Sequence, residues 1–195
     1  MRARRGPCGR DRRLTRGRLS ALVATVMLAA AATLAGCGSF SDTVPACADP
    51  LRVAIIAQSV PNAAYLPCIR DLPPGWNTSG FGPSQDGTSF QLNSDRSPGQ
   101  PVTVRLTASC QTAGASPSPA RAPGVLTYTR LSSISPRFAG TLYDVFPGGC
   151  VSYSFDFALG SQIALAEQFE EAVGLYPRQQ LRLVLKQKLG VELDP

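Results

Sequence analysis

The chain has 195 residues, 19 Lys and Arg against 13 Asp and Glu for a formal charge of +6, and no histidine. Without histidine there is no Ser-His-Asp or Cys-His arrangement, and the commonest general base near neutral pH is missing. At 44% hydrophobic residues the sequence can bury a core.

The chain opens Met1-Arg2-Ala3-Arg4-Arg5 and places eight arginines and one aspartate before residue 19. From Leu19 to Ala35 no residue is charged, a run of 17 that is short for a membrane-spanning helix of about 20. Leu34-Ala35-Gly36-Cys37 follows. This pattern of an aliphatic residue, two small residues and a cysteine resembles the lipobox of bacterial lipoproteins. In that family small residues admit the signal peptidase and the thiol is alkylated by a diacylglyceryl group, palmitate-type chains included. The resemblance implies a signal peptide over 1–36, a lipidated tether over 37–46 and a single exported domain over 47–195. The protein is thus expected at the cell membrane, held on its extracytoplasmic face through Cys37. Two acyl chains anchor a protein stably where one does not. Arg12-Arg13-Leu14 also resembles a twin-arginine export signal, but Thr15 stands where that motif prefers an aromatic, so the general secretory route is expected.

Removing residues 1–36 takes away 8 of the 19 basic and 1 of the 13 acidic residues, leaving 11 against 12. The mature chain is near −1, so no nucleic-acid partner is expected despite the basic whole-chain charge. The 17 arginines against 2 lysines, with abundant Ala, Gly and Pro, are the bias of codons rich in guanine and cytosine and point to an actinobacterial source.

Gly38 to Pro45 reads as the short tether, reaching about 25–30 Å when extended. Leu51 to Cys68 is the least legible segment. LRVAIIAQSV suits a buried strand or a short helix, and no glycine-rich turn follows to support a nucleotide-binding unit. In YLPCIRDLPPGW, Tyr65 and Trp76 could face a ligand or join the core. Ser89 to Asn93 and Pro101 to Ala108 read as two strands of a hairpin, the second with Val102, Val104 and Leu106 on one face. Thr112 to Pro123 reads as a flexible loop joining strands. Val125 to Leu131, Phe138 to Phe146 and Val151 to Phe157 read as further strands, the last with Val151, Tyr153, Phe155 and Phe157 on one face.

The period then becomes helical. Ile163, Ala166, Phe169, Ala172 and Val173 define a helix that Ser161 could cap and Gly174 could end in the left-handed conformation. Leu181, Val184, Leu185 and Leu189 define a second, from Pro177 to Gly190, with Arg178, Arg182, Lys186 and Lys188 on a solvated face. The expected fold is α+β: an antiparallel β-sheet with two C-terminal helices, stabilised by disulfides.

With Cys8 in the discarded segment and Cys37 lipidated, Cys47, Cys68, Cys110 and Cys150 remain as an even set, which outside the cytoplasm implies two disulfides. Their spacings contain no close pair, so no zinc site is expected. Cys110 follows one strand and Cys150 begins another, which pairs them in an antiparallel sheet and leaves Cys47 for Cys68. No metal, cofactor or catalytic residue is expected. Asp144 and Asp156 are the one carboxylate pair considered for a hydrolase, and Lys186 or Lys188 the bases considered for a serine-lysine dyad. Two functional classes remain. One is a non-catalytic interaction or structural module contacting an envelope protein or cell-wall polymer. The other is a small-molecule-binding accessory lipoprotein with Tyr65, Trp76, Tyr128 and Tyr153 as ligand contacts.

Overall fold

In the computed structural model, which describes residues 44–84, 86–99, 101–158 and 162–193, the strand expected at Val151 to Phe157 lies at the middle of a seven-stranded antiparallel sheet. The expectations for residues 1–43, including Cys37 and most of the tether, and for Ser161 lie outside the described residues. The elements in chain order are α1 (Pro50–Ser59), β1 (Tyr65–Ile69), β2 (Trp76–Ser84), β3 (Gly87–Ser94), β4 (Val102–Thr107), β5 (Ser116–Ser118), β6 (Leu126–Ser133), β7 (Phe138–Phe146), β8 (Gly149–Phe157), α2 (Gln162–Ala172), β9 (Val173–Pro177) and α3 (Arg178–Leu189). The large sheet runs β2-β3-β4-β8-β7-β6-β5, while β1 and β9 form a separate antiparallel pair.

Period-two patterning decides which face is buried. Phe90 and Leu92 of β3, Val102, Val104 and Leu106 of β4, and Val151, Tyr153 and Phe157 of β8 are all at most 1% exposed. They point to the helix side. Phe169 of α2 lies over this row, its ring centroid 6.1 Å from Tyr153, 5.6 Å from Phe155 and 6.3 Å from Phe157. Burying one such ring contributes about 1.5–3 kcal/mol. The opposite face carries Thr103 and Arg105 of β4 and Ser152, Ser154 and Asp156 of β8.

The β7–β8 hairpin turns through Pro147-Gly148, with Phe146 paired to Gly149. Gly148 has φ +73°, and a Cβ there would stand 1.9 Å from the Asn62 carbonyl oxygen, so glycine alone fits this second central position. Both disulfides are present, Cys47–Cys68 and Cys110–Cys150.

The segment left open between strand and helix is α1. Asp49 caps it by accepting from the Arg52 N–H at 3.4 Å, and Pro50 occupies the first turn. The expected loop over Thr112 to Pro123 contains the short strand β5, paired to β6. Gly174 corrects a second expectation. It does not end α2 in a left-handed conformation; α2 stops at Ala172 and the chain passes directly into β9, where Gly174 lies opposite Cys68.

The third correction concerns Arg178. It is not part of a solvated basic face but is 7% exposed, with Nε donating to Ala63 O at 2.7 Å and Nη2 to Ala57 O at 2.6 Å and Val60 O at 2.7 Å. Those carbonyls lie at and just beyond the end of α1, which carries no basic residue in its own last turn. A cation from α3 thus satisfies the Ala57 and Ala63 carbonyls, joins the Ala63 N–H on Val60 O, and opposes the negative end of the helix dipole. Burial, and then the neighbouring charge of Arg182, lowers the pKa of this guanidinium from its ordinary value.

Candidate functional site

Asp144 is the one fully buried carboxylate among the described residues, and the register of the sheet shows how it gets there. On β7 it shares the inward face with Leu142 and Phe146, and it pairs with Thr127 on one side and Val151 on the other. Thr127 Oγ1 donates to Asp144 Oδ1 at 2.8 Å, and Tyr153 Oη donates to Oδ2 at 2.9 Å. Arg121, from the segment between β5 and β6, completes the set with Nη1 at 2.8 Å from Oδ2. Its Nη2 donates to Glu170 O at 2.5 Å and Val173 O at 2.8 Å, and its guanidinium carbon stands 4.8 Å from the Tyr153 ring centre. One arginine therefore ties the β5–β6 connection to the end of α2.

The electrostatics of this cluster are those of a structural pair. Burial pushes the Tyr153 phenol above its usual range, and the hydrogen bond to Asp144 acts in the same direction, so the group is a fixed donor. Burial works against the Arg121 charge, but Tyr153 and Asp144 outweigh it and hold the guanidinium above its ordinary value. Outside Arg121 lies a polar cleft of about 300 Å³ lined by Arg70, Glu167, Glu170 and Glu171. Burial raises the Glu170 pKa, opposed by Arg121 and assisted by Asp144 and Glu167.

Asp144 and Asp156 are not brought together. Asp144 faces the core opposite Val151, whereas Asp156 lies on the other face opposite Ala139, five residues further along β8. That offset spans about 17 Å, beyond the 5–10 Å that paired-carboxylate glycoside hydrolysis uses. Asp156 instead bonds Arg137 at 2.7 Å on the surface, which holds its carboxyl below the usual range. Lys186 pairs with Glu192 at 2.7 Å, both well exposed.

The four aromatic candidates occupy different strands. Tyr65 packs edge-on against Phe146 with centroids 5.5 Å apart and donates to Pro123 O at 2.6 Å. Trp76 is 7% exposed, and its indole N–H donates to Gln168 Oε1 at 2.9 Å. Tyr128 is half-buried on β6, opposite Tyr143 and Pro117. Tyr153 belongs to the core. None of the four lines the polar cleft or the two clefts beside α3.

The second of those clefts, about 260 Å³, runs between the start of α1 and the last turns of α3 and is largely apolar. Leu51, Val184, Leu185 and Leu189 line it, with Asp49 and Lys188 at the rim. Leu51 and Ile55, one turn apart on the outer side of α1, are each 56% exposed, and Leu189 is 50% exposed. The sequence reading missed this surface. Its signal was the excess of apolar residues in PLRVAIIAQS, where Val53, Ile56 and Ala57 fill the core and Leu51 and Ile55 are left over.

Among the described residues no three Cys, Asp or Glu converge to hold a metal ion, and no helix is long and apolar enough to cross a membrane. Compared with protein-family models, curated proteins and solved structures, the chain matches none.

Proposed function

We propose that the protein is a lipid-anchored, non-catalytic interaction module of a bacterial cell envelope, held on the extracytoplasmic face of the membrane through Cys37. The observation that carries this reading is a division of labour among side chains. The buried Asp144 cluster is satisfied from within, whereas apolar side chains on α1 and α3 stand in solvent. Exposed apolar surface of this kind marks contact with another surface. The two disulfides fit an oxidising compartment outside the cytoplasm.

The anchor is tested by growth with radiolabelled palmitate. Wild type should take up label and Cys37→Ala should not, remaining as unprocessed precursor, while Cys8→Ala should behave as wild type. Equal labelling of wild type and Cys37→Ala would remove the lipoprotein reading.

The polar cleft beside Arg121 supports a second reading, capture of a small charged molecule. Its lining of two arginines and three glutamates suits a ligand with both charge signs. Loss of calorimetrically detected amino-acid binding in Glu167→Gln/Glu171→Gln would support it, and no heat from amino acids with wild type would remove it.

A further inference from the structure

We infer that the outer face of α1 and α3 rests on the anionic surface of the membrane to which the protein is tethered, so that lipid headgroups and upper acyl chains cover Leu51, Ile55 and Leu189. This deepens the proposed function and rests on the lipidation of Cys37.

Three observations converge on this occupant. Charge is segregated by helix: α1 and α3 together carry Arg52, Arg178, Arg182, Lys186 and Lys188 with no acidic residue, whereas α2 carries Glu167, Glu170 and Glu171 with no basic one. Arg178 is used up in closing α1, Arg52 pairs with Asp49 at 3.1 Å and Lys186 with Glu192 at 2.7 Å, which leaves Arg182 and Lys188 as the cations of these helices without an acidic partner among the described residues, on a mature chain whose net charge is near −1. Basic residues flanking apolar ones on a helix surface are the arrangement that lies in a membrane interface, the apolar side chains entering and the long cationic ones reaching the phosphates.

The tether selects the same face. Only six residues lie between Cys37 and Val44, at which the described domain begins, a span of at most about 25 Å. Val44 is buried, Cys47 is bonded to Cys68, and Ala48, Asp49, Pro50 and Leu51 line the apolar cleft directly. The chain therefore passes from the anchor straight into the helix that exposes Leu51 and Ile55. A protein partner on this face would meet the same apolar side chains but has no reason to sit where the tether enters.

The test uses the lipidated full chain, purified from membranes and reconstituted into vesicles. Ile55→Trp reports from the helix face and Leu126→Trp, 61% exposed on β6, from the sheet; the native Trp76 is buried and sets the baseline. With brominated phosphatidylglycerol, fluorescence at position 55 should be quenched while position 126 stays at baseline. The quenching should fall in high salt, in neutral brominated phosphatidylcholine and in Arg52→Glu/Lys188→Glu. Flotation of the protein with the vesicles, read in the same samples, reports the anchor separately. Flotation without quenching at position 55 overturns the docking and leaves the anchor standing. Failure to float overturns the anchor and the docking with it. Shielding of position 55 from aqueous acrylamide without bromine quenching means a protein surface covers it, and also overturns the docking.

Discussion

Cys47 Sγ stands 3.0 Å from the position a Cβ would take on Gly174, and Arg70 Nε stands 2.8 Å from it. The Cys47–Cys68 bridge thus lies against bare backbone of β9, and the segment leading into α1 is clamped to the β1–β9 pair. Gly174→Ala should therefore destabilise the protein, by about 1–3 kcal/mol as for other overpacked sites. In a Cys47→Ala/Cys68→Ala background the sulfur is gone and the same substitution should cost less. Urea unfolding of the four proteins measures the coupling, and additive effects would show that the disulfide does not set the requirement for glycine.

The bridges themselves close loops of about 22 and 41 residues, for which the chain-entropy model gives about 3.4 and 3.9 kcal/mol. Either loss is large against a typical total of about 5–15 kcal/mol. Removing Cys110 and Cys150 should lower the urea midpoint at least as much as removing Cys47 and Cys68, because the longer loop regains more freedom in the unfolded chain. A smaller effect at the longer loop would place the stabilisation elsewhere than in loop closure.

Arg178 donates to three carbonyls that have no other cation near them in α1. Arg178→Met keeps most of the apolar stem but strands Ala57 O and Ala63 O, each at about 1–3 kcal/mol when buried without a partner, while Val60 O keeps the Ala63 N–H at 3.1 Å. We expect a loss of about 2–5 kcal/mol after partial relaxation. Hydrogen exchange should localise the damage to the end of α1. Uniform acceleration across the sheet instead would contradict the capping role.

Some of this was legible in the sequence and some was not, for identifiable reasons. Strands β3, β4 and, from Val151 onward, β8 were readable because each buries one face only, which writes period two into the chain. Strand β2 was not, since WNTSGFGPS holds two glycines, a proline and a register shift between Ser79 and Gly82, and it lies at the sheet edge. Strand β5 is three residues of Ser and Pro defined only by its pairing to β6. Helix α1 was ambiguous because it is apolar on nearly every side, although Asp49-Pro50 is a helix-start signal. Arg178 looks like any surface arginine, since the carbonyls that bury it come from another helix. The Asp144 site did leave a trace: an aspartate between Leu142 and Phe146 on an inward strand face requires a cation, but nothing local identified Arg121 as that cation.

The Arg121–Asp144 pair should respond asymmetrically. Asp144 is fully buried while the Arg121 side chain is 14% exposed, so a stranded carboxylate costs more than a stranded guanidinium that can turn toward water. Arg121→Leu should cost about 3–5 kcal/mol. Asp144→Asn keeps one acceptor oxygen for Tyr153 and Arg121, while its amide N–H donates to the Thr127 hydroxyl, and should cost about 1–3 kcal/mol. Equal losses in thermal or urea unfolding would show that the cleft beside Arg121 does not supply that solvent access.

Tyr153 gives the pH dependence. Its folded pKa is raised above the ordinary 10.0, chiefly by burial, so the native state holds the phenolic proton after the unfolded chain begins to release it. The contribution is complete below about pH 10 and is lost as pH rises from there toward the folded value, with a slope of up to about 1.4 kcal/mol per pH unit for one proton. Tyr153→Phe removes the titrating group and leaves Asp144 with two donors in place of three, costing about 1–2 kcal/mol near neutrality. Between pH 10 and 11 the wild type should therefore lose stability faster than Tyr153→Phe, and the two curves should converge. Parallel curves over that interval, measured by urea unfolding at each pH, would show that Tyr153 does not hold its proton in the folded state.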